Sequence, residues 1–386
     1  MGVLRAEPAR FADVAGRSVA AVWRSYDVQL TVYAVLLTAV GLIMAYTNSV
    51  EDGRLVLGPE STFARGLLWA AIAAVVYVVA TLFDYRWLKT LRWPVYLANL
   101  GLLVLTLAVG TGVGGTSRWV VVGPLVFQFS ELAKVLVVGV LAAYLAGRQD
   151  RLGSLWTILG AVVLVGPPLL LVMLQPDLGT SLVFGAILAG MLFLGGASLT
   201  WLGVLGGAFL ASLPIIWNHV LLDYQRERIL SFLDPASDPL GSGYQLYQAQ
   251  IAVGSGGLLG KGLTNGTQNQ LDFLPVQTTD FVFAILAEEL GFVGGVVVLV
   301  LYAALIWRVL VAGWRARDPF GTAFAAGVAS ILLFQVLVNI GMVVGIMPVT
   351  GIPLPFITHG GASLTSLALA LGILQSVTIR QSRADW

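Results

Sequence analysis

Apolar runs separated by short polar breaks cover most of the chain. A membrane helix takes about 20 predominantly apolar residues. Ten segments approach that length: 28–47, 64–83, 91–109, 131–147, 155–173, 179–196, 200–219, 281–310, 319–346 and 361–379. The pattern predicts an all-α polytopic membrane protein of about ten transmembrane helices. The breaks are unequal. Most are short, but 110–130 and 220–280 are long and rich in Gly, Pro, Gln and Asn. A structureless loop of about 60 residues is uncommon and usually functional. Within it, "GYQLYQAQIAVGSGG" (243–257) reads as a short amphipathic helix closed by glycines and lying in the membrane surface.

Charge then orients the spans, because Lys and Arg concentrate in cytoplasmic loops. The segment before the first span carries Arg5, Arg10, Arg17 and Arg24. The second inter-helix break has Arg86, Lys89 and Arg92, and the fourth has Arg148 and Arg151. The eighth has Arg308, Arg315 and Arg317, and the tail has Arg380 and Arg383. These fourteen of the 21 basic residues fall on alternate breaks, as an even number of spans with both termini cytoplasmic requires. The long break between helices 7 and 8 is then extracytoplasmic. The organisation expected is a cytoplasmic arm over 1–27, a transmembrane domain over 28–380 and a short tail over 381–386. Arg10, Arg17 and Arg24 recur every seven residues beside Phe11, Val14 and Val22. That spacing fits an interfacial amphipathic helix, and ordinary positive-inside charge equally well. No small-residue cleavage site follows the first span, which reads as a retained helix rather than a signal peptide.

Composition agrees: 58% of residues are hydrophobic, 11% are charged, and the mean hydropathy is +0.89. A soluble domain carries roughly 25% charged residues. A net charge of +1 with no basic cluster gives no reason to expect nucleic acid. Cysteine is absent, which excludes disulfides and thiolate metal sites but leaves the compartment open.

The polar groups outside the spans, or at their outer ends, gather on one face of this topology. They include Arg65; Arg118, Trp119, Gln128, Ser130, Glu131 and Lys134; Gln175, Asp177 and Thr180; and Asp223, Arg226, Glu227, Arg228 and Asp234. Lys261, Asn265, Gln268, Asp272 and Asp280 complete the set, so a polar site of mixed charge is expected there. Glu131 and Lys134 are three apart and share a helix face. An ion pair within the membrane marks function by default, the alternative being a pair that fixes packing. Asp177 precedes a span and can cap it. Asp280 follows Thr278 and Thr279 at the start of the eighth span, where it serves as a cap or as a reactive acid. Glu288 and Glu289 lie deeper and point about 100° apart on a helix, so one at most faces a given cavity; buried hydrogen bonding is their alternative. His219 and His359 have no metal-ligand spacing. "GGLLGKG" lacks the Ser or Thr and the glycine spacing of a P-loop, and no nucleophile elbow, zinc motif or dinucleotide fingerprint appears.

Together, "GGTSRW", "QFSELAK", "LQPDLGTS", "GSGGLLGKGLTNGTQNQLDFLP", "TTDFVFAILAEELG" and "PVTGIPLPFITHGGASL" resemble the signature segments of the SEDS family, the shape, elongation, division and sporulation proteins of bacteria. "GKGLTNGTQNQLDFLP" resembles the elongation branch, the RodA type, more than the division branch. The resemblance implies a ten-helix fold in the bacterial plasma membrane and a glycosyltransferase that polymerises lipid II into peptidoglycan strands on the extracytoplasmic side. It implies that Asp280 is the essential catalytic residue and that Glu131 and Lys134 are needed for activity. It also implies a class B penicillin-binding protein as partner, beside other membrane proteins of the elongation complex. Two departures stand out. Thr358, His359, Gly360, Gly361 and Ala362 replace the usual Ser-Tyr-Gly-Gly-Ser, and Phe129 replaces the usual Pro before Ser130.

For such a reaction a carboxylate serves as base for the acceptor hydroxyl, worth roughly 10²–10⁴ in rate. The departing pyrophosphate needs cationic stabilisation, from Arg118, Lys134, Arg226, Arg228 or a divalent ion such as Mg or Mn. Asp280 is the expected base, with inversion at the anomeric carbon. Arg65, Arg118, Trp119, Gln128, Ser130, Glu131, Lys134, Asp177 and Lys261 are expected to hold substrate, supported by Glu288, Glu289 and Thr279. The rival readings are a lipid II flippase and a non-catalytic scaffold for cell-wall enzymes. A flippase commonly shows repeated halves and broken helices, and neither is evident in the sequence.

Overall fold

The computed structural model describes residues 25–51, 54–55, 58, 61–111, 118–122, 125–234, 241–270 and 280–381. The arm up to residue 24, Asp272, Thr278, Thr279 and the tail 382–386 lie outside the described residues. In chain order, α1 (Val28–Thr47) leads through a small hairpin, β1 (Val50–Glu51) and β2 (Arg54–Leu55), into α2 (Thr62–Leu82). A short α3 (Arg86–Thr90) precedes α4 (Arg92–Val109). A second hairpin, β3 (Val120–Val122) and β4 (Leu125–Phe127), enters α5 (Phe129–Ala146). Then come α6 (Leu155–Leu174), α7 (Leu178–Leu194) and α8 (Leu199–Ile215), the last ending in a π turn, Ile216–Val220. Three shorter helices follow, α9 (Asp223–Leu233), α10 (Ser242–Ser255) and α11 (Thr267–Gln270). The chain closes with α12 (Val282–Trp314), α13 (Pro319–Val343) and α14 (Gly361–Gln381).

All ten expected spans are helices, with ends within a few residues of those read from hydropathy. Nine, among the described residues, are long and apolar enough to cross a membrane. The tenth, α7, is apolar but only 17 residues long. Aspartates start several of them as side-chain caps: Asp27 accepts from the Leu30 amide at 3.1 Å, and Asp318 accepts from Phe320 at 3.2 Å, with Pro319 in the first turn of α13. The centre of the bundle is α5, α13 and α14, which bury 72–83% of their most apolar stretch, whereas α8 buries none and lies at the periphery.

Polar contacts tie the basic breaks together at one end of the bundle. Asp27 pairs with Arg308, Lys89 with Asp318 at 3.6 Å, and Asp84 with Arg380 at 3.6 Å. The described parts of the breaks at 110–128, 175–177, 221–281 and 344–360 lie at the other end.

Two expectations need correction. The 220–280 break holds α9 and α11, which the sequence did not suggest, as well as α10. α10 matches the helix expected over 243–257, but it buries Leu246, Ala249 and Ala252 against protein. The eighth span is not one continuous helix over 281–310. At about 1.5 Å per residue, the 33 residues of α12 would reach about 50 Å, against about 30 Å of hydrocarbon. The helix breaks at Gly291 (φ 69°, ψ −168°). Val282–Ala287, Glu288 and Glu289 are buried before the break, and lipid-facing residues such as Phe292 and Val293 begin after it. The amides of Phe292 and Val293 donate to Gly257 O (2.9 Å) and Leu258 O (3.1 Å), and Lys261 and Gly262 donate to the carbonyls of Glu288 and Glu289 at 3.0 Å. The glycine-rich stretch 256–262 thus closes the broken helix and satisfies its backbone.

Candidate functional site

Asp280 sits two residues before α12. The N-cap position belongs to Phe281, whose side chain makes no capping bond. Asp280 therefore lies one residue outside the N-cap position itself. Its carbonyl is held by Asn339 Nδ2 of α13 (3.0 Å), which also donates to Ile352 O (2.8 Å). That one amide fixes the start of α12 and the 348–360 segment to the same point on α13. The carboxylate and the Arg228 guanidinium converge beside Gly351: a Cβ built there would lie 3.4 Å from Asp280 Oδ2 and 3.5 Å from Arg228 Nη1. Gly351 has φ +71°, a left-handed conformation that glycine adopts without penalty.

Arg228 and Tyr224 are one turn apart on α9, and the guanidinium lies 5.8 Å from the Tyr224 ring centroid. Arg118 approaches the same tyrosine from the hairpin side, donating from Nη2 to its hydroxyl (3.1 Å) and from Nε to Gln175 O (3.2 Å). The Tyr224 hydroxyl in turn donates to Pro176 O at 2.6 Å. One acid thus stands beside the Arg228 guanidinium, and a second guanidinium, that of Arg118, meets the same tyrosine. Arg226 is committed elsewhere, to Asp223 (3.2 Å) and to the carbonyls of Trp217 and Asn218.

Next to this group, Asp177 caps α7: Oδ1 accepts from the Thr180 amide (3.0 Å), and Oδ2 accepts from Thr180 Oγ1 (2.9 Å) and Gln128 Nε2 (3.1 Å). Its cap role is thereby filled. Glu131 and Lys134 form a 2.7 Å pair with both side chains 3% exposed. Nearby buried atoms that find no protein partner include Ser130 Oγ, Gln175 Oε1, Gln335 Nε2 and Thr350 Oγ1. Such atoms are normally satisfied by water or ligand.

Arg65 and Trp119 belong to a separate place. Arg118 and Trp119 are neighbours on extended backbone and point to opposite sides. Trp119 faces a cavity of ≈ 240 Å³ that Arg65, Trp69, Thr358 and His359 also line. The 348–360 segment runs from Gly351 beside Asp280 to His359 at this cavity. Within it, Phe356 holds φ +65°, a strained value of the kind that collects at functional sites.

Glu288 is fully buried and serves as an anchor. Its Oε1 takes Lys261 Nζ at 2.6 Å and accepts from the Thr267 amide and hydroxyl, each at 2.9 Å. Lys261 therefore faces Glu288 rather than the Asp280 group. Glu289 turns to the same place: a Cβ on Gly266 would lie 3.0 Å from Glu288 Oε2 and 3.3 Å from Glu289 Oε1, so the two acids are not separated as the offset of about 100° led one to expect. Sequence reasoning missed Tyr224, Asn339 and Gly351. Only the i, i+4 spacing of Tyr224 and Arg228 was visible without the structure.

The profile of the cell cycle protein family named for FtsW, RodA and SpoVE matches residues 28–383. Peptidoglycan glycosyltransferase MrdB of Escherichia coli K12 is 44% identical over 307 residues, covering 80% of this chain and 83% of MrdB. Stage V sporulation protein E of Bacillus subtilis 168 is 38% identical over 366 residues, covering 93% of this chain and 98% of its own. Among solved structures, a chain from work on coordinated polymerization and crosslinking by a peptidoglycan synthase complex superposes with TM-score 0.78 at 33% identity, covering 94% of this chain and 100% of that one. The rod shape determining protein RodA of Thermus thermophilus superposes with TM-score 0.70 at 30% identity, covering 93% and 98%.

Proposed function

Because the chain belongs to the FtsW, RodA and SpoVE family and is a multi-pass membrane peptidoglycan glycosyltransferase of cell elongation, we propose that Asp280 is the general base of its polymerisation step and that Arg118 and Arg228 receive the pyrophosphate. The observation that carries this reading is the convergence of the Asp280 carboxylate and the Arg228 guanidinium at Gly351, with Arg118 across Tyr224.

The substrate is lipid II. Asp280 takes the proton of the acceptor sugar hydroxyl as its oxygen bonds to the anomeric carbon of the donor. The bond from that carbon to the phosphate oxygen breaks, and the polyprenyl pyrophosphate leaves. One displacement inverts the anomeric centre. Pyrophosphate needs no general acid, but its growing charge needs fixed cations, which the two guanidiniums supply in a geometry suited to phosphate. Two lipid-linked glycans must meet in this reaction, and the Arg65–Trp119 cavity is proposed to hold part of the second. The buried Glu131–Lys134 pair and the Asp177 cap hold α5 and α7 around the site. Among the described residues no group of three His, Asp or Glu side chains converges to hold a metal. A divalent ion such as Mg or Mn would be held by one or two carboxylates together with the substrate's own phosphates, and no step is routed through one.

The basic end of the bundle is assigned to the cytoplasm, with both termini there, and the Asp280 end to the outer face of the bacterial plasma membrane. A class B penicillin-binding protein is proposed as partner, beside other membrane proteins of the elongation complex. The break at Gly291 is the one feature that favours a flippase, since transporters build sites at discontinuous helices. Here the freed backbone is closed by residues 257–262, so the break opens no path. The test is purified protein with its crosslinking partner and fluorescent lipid II, read both as gel-resolved glycan and as lipid II translocation in liposomes. Polymer without translocation is expected; translocation without polymer would establish the flippase.

A further inference from the structure

At the arginine-rich end of the bundle, a cleft of ≈ 240 Å³ opens between α4, α5 and α6, far from every residue assigned to glycan chemistry. That is below the roughly 300–1,000 Å³ of a site for a whole drug-sized ligand, and suits a single phosphate group. Arg92 and Trp93 from the first turn of α4 form one wall, and Tyr144 and Arg148 from the end of α5 form another. Gly160 and Val163 of α6 form the third.

The walls are built rather than incidental. Tyr144 donates to Thr157 O at 3.1 Å, and a Cβ on Gly160 would fall 1.8 Å from the Tyr144 hydroxyl, so the ring fits only because residue 160 has no side chain. Tyr96, edge-on to Trp93, ties α4 to α6 by donating to Leu164 O at 2.9 Å. The two guanidiniums rest near aromatic faces, Arg148 at 4.0 Å from the Tyr144 centroid and Arg92 at 6.0 Å from that of Trp93. Neither makes an ion pair among the described residues, and no carboxylate lines the cleft. The mouth faces lipid, since Trp93 is 54% and Val163 69% exposed.

We propose that this cleft binds the phosphate of an anionic phospholipid, with Arg92 and Arg148 on the headgroup and an acyl chain running out over Trp93 and Val163. Basic recesses between transmembrane helices suit such headgroups, and guanidinium groups bind phosphate through paired donors. Ordinary positive-inside charge would attract anionic lipid diffusely to the whole surface. The cleft instead selects one place, and this is what the experiment reads.

The absence of native cysteine makes a single label clean. Val163→Cys, carrying a bimane, is placed in nanodiscs of zwitterionic lipid with a minor fraction of brominated phosphatidylglycerol or brominated phosphatidylcholine. Quenching is expected to show roughly tenfold enrichment of the anionic lipid at the label, from two cationic contacts. R92Q/R148Q in the same background brings it close to one, whereas the charge-matched R315Q/R317Q leaves it in place. Thermal unfolding in zwitterionic lipid checks that each variant is folded. Equal quenching by both lipids overturns the proposal, as does enrichment that survives R92Q/R148Q or falls equally in R315Q/R317Q. Millimolar inorganic phosphate is the last arm: no displacement is expected, and full displacement would mean a free-phosphate site rather than a lipid site.

Discussion

At Gly351, one missing side chain lets an acid and a guanidinium approach the same point. Gly351→Ala puts a methyl 3.4 Å from Asp280 Oδ2 and 3.5 Å from Arg228 Nη1 on a backbone with φ +71°. The backbone strain costs about 1–2 kcal/mol, a modest change in unfolding. Polymerisation is expected to fall by more than that strain implies, roughly 10²-fold, since small misplacements at a reacting centre are that costly. Measuring kcat beside thermal unfolding checks the split. The Glu131–Lys134 pair makes the opposite prediction. Glu131→Leu or Lys134→Met alone strands a buried charge and costs about 3–5 kcal/mol, whereas the double substitution restores most of the stability. A double-mutant cycle in denaturant reads this, and activity of the double variant shows whether the pair does more than hold α5. Asp280, Arg118 and Arg228 could be named from sequence because a charged group beside an apolar run has to be explained. Tyr224, Asn339 and Gly351 could not. A tyrosine, an asparagine and a glycine are ordinary in such surroundings, and their roles depend on contacts across 48 to 123 residues of chain.

The element that carries the site is α12, a helix broken so that its first two turns sit under the 256–268 segment. Glu288 holds that segment through Lys261, Thr267 and the Gln268 amide. Glu288→Ala leaves these groups unmet and is expected to cost about 3 kcal/mol or more. Lys261→Met strands part of the charge of a fully buried carboxylate but leaves it the Thr267 and Gln268 donors, so it should cost less than Glu288→Ala and more than the ~1 kcal/mol of a surface pair. Comparing their unfolding midpoints tests whether Glu288 or Lys261 is the anchor. At Gly291, a Cβ would meet Gly260 N at 2.3 Å and Leu258 O at 2.7 Å. Gly291→Ala should therefore destabilise beyond the ordinary cost of its positive φ. Hydropathy showed that a span starts near 281, but no break was read within it. The position of the break was not readable, because its hydrogen-bond partners lie some 30 residues earlier in a glycine-rich stretch with no hydrophobic period.

For the whole molecule, the ten spans and the sorting of basic from mixed-charge breaks followed from two simple energies, the transfer of apolar length into hydrocarbon and the bias of Lys and Arg to one side. The ion pairs Lys89–Asp318, Arg308–Asp27 and Arg380–Asp84 bring those basic breaks to one end, as the charge pattern required. Alternation of spans also placed the polar groups together at the other end. It could not divide them, and the structure does so. Asp280 stands beside Arg228, which shares Tyr224 with Arg118; Arg65 and Trp119 turn to a second cavity, and Lys261 with Glu288 clamps a loop. Among these groups, the account gives the chemical step to Asp280 alone. The most direct test measures lipid II binding and glycan polymerisation on one folded preparation of Asp280→Asn, with its crosslinking partner present. Binding within about threefold of wild type with polymerisation lowered at least 10²-fold, the range of a lost general base, is the predicted result. Undiminished polymerisation, or a loss of binding as large as the loss of rate, would contradict it.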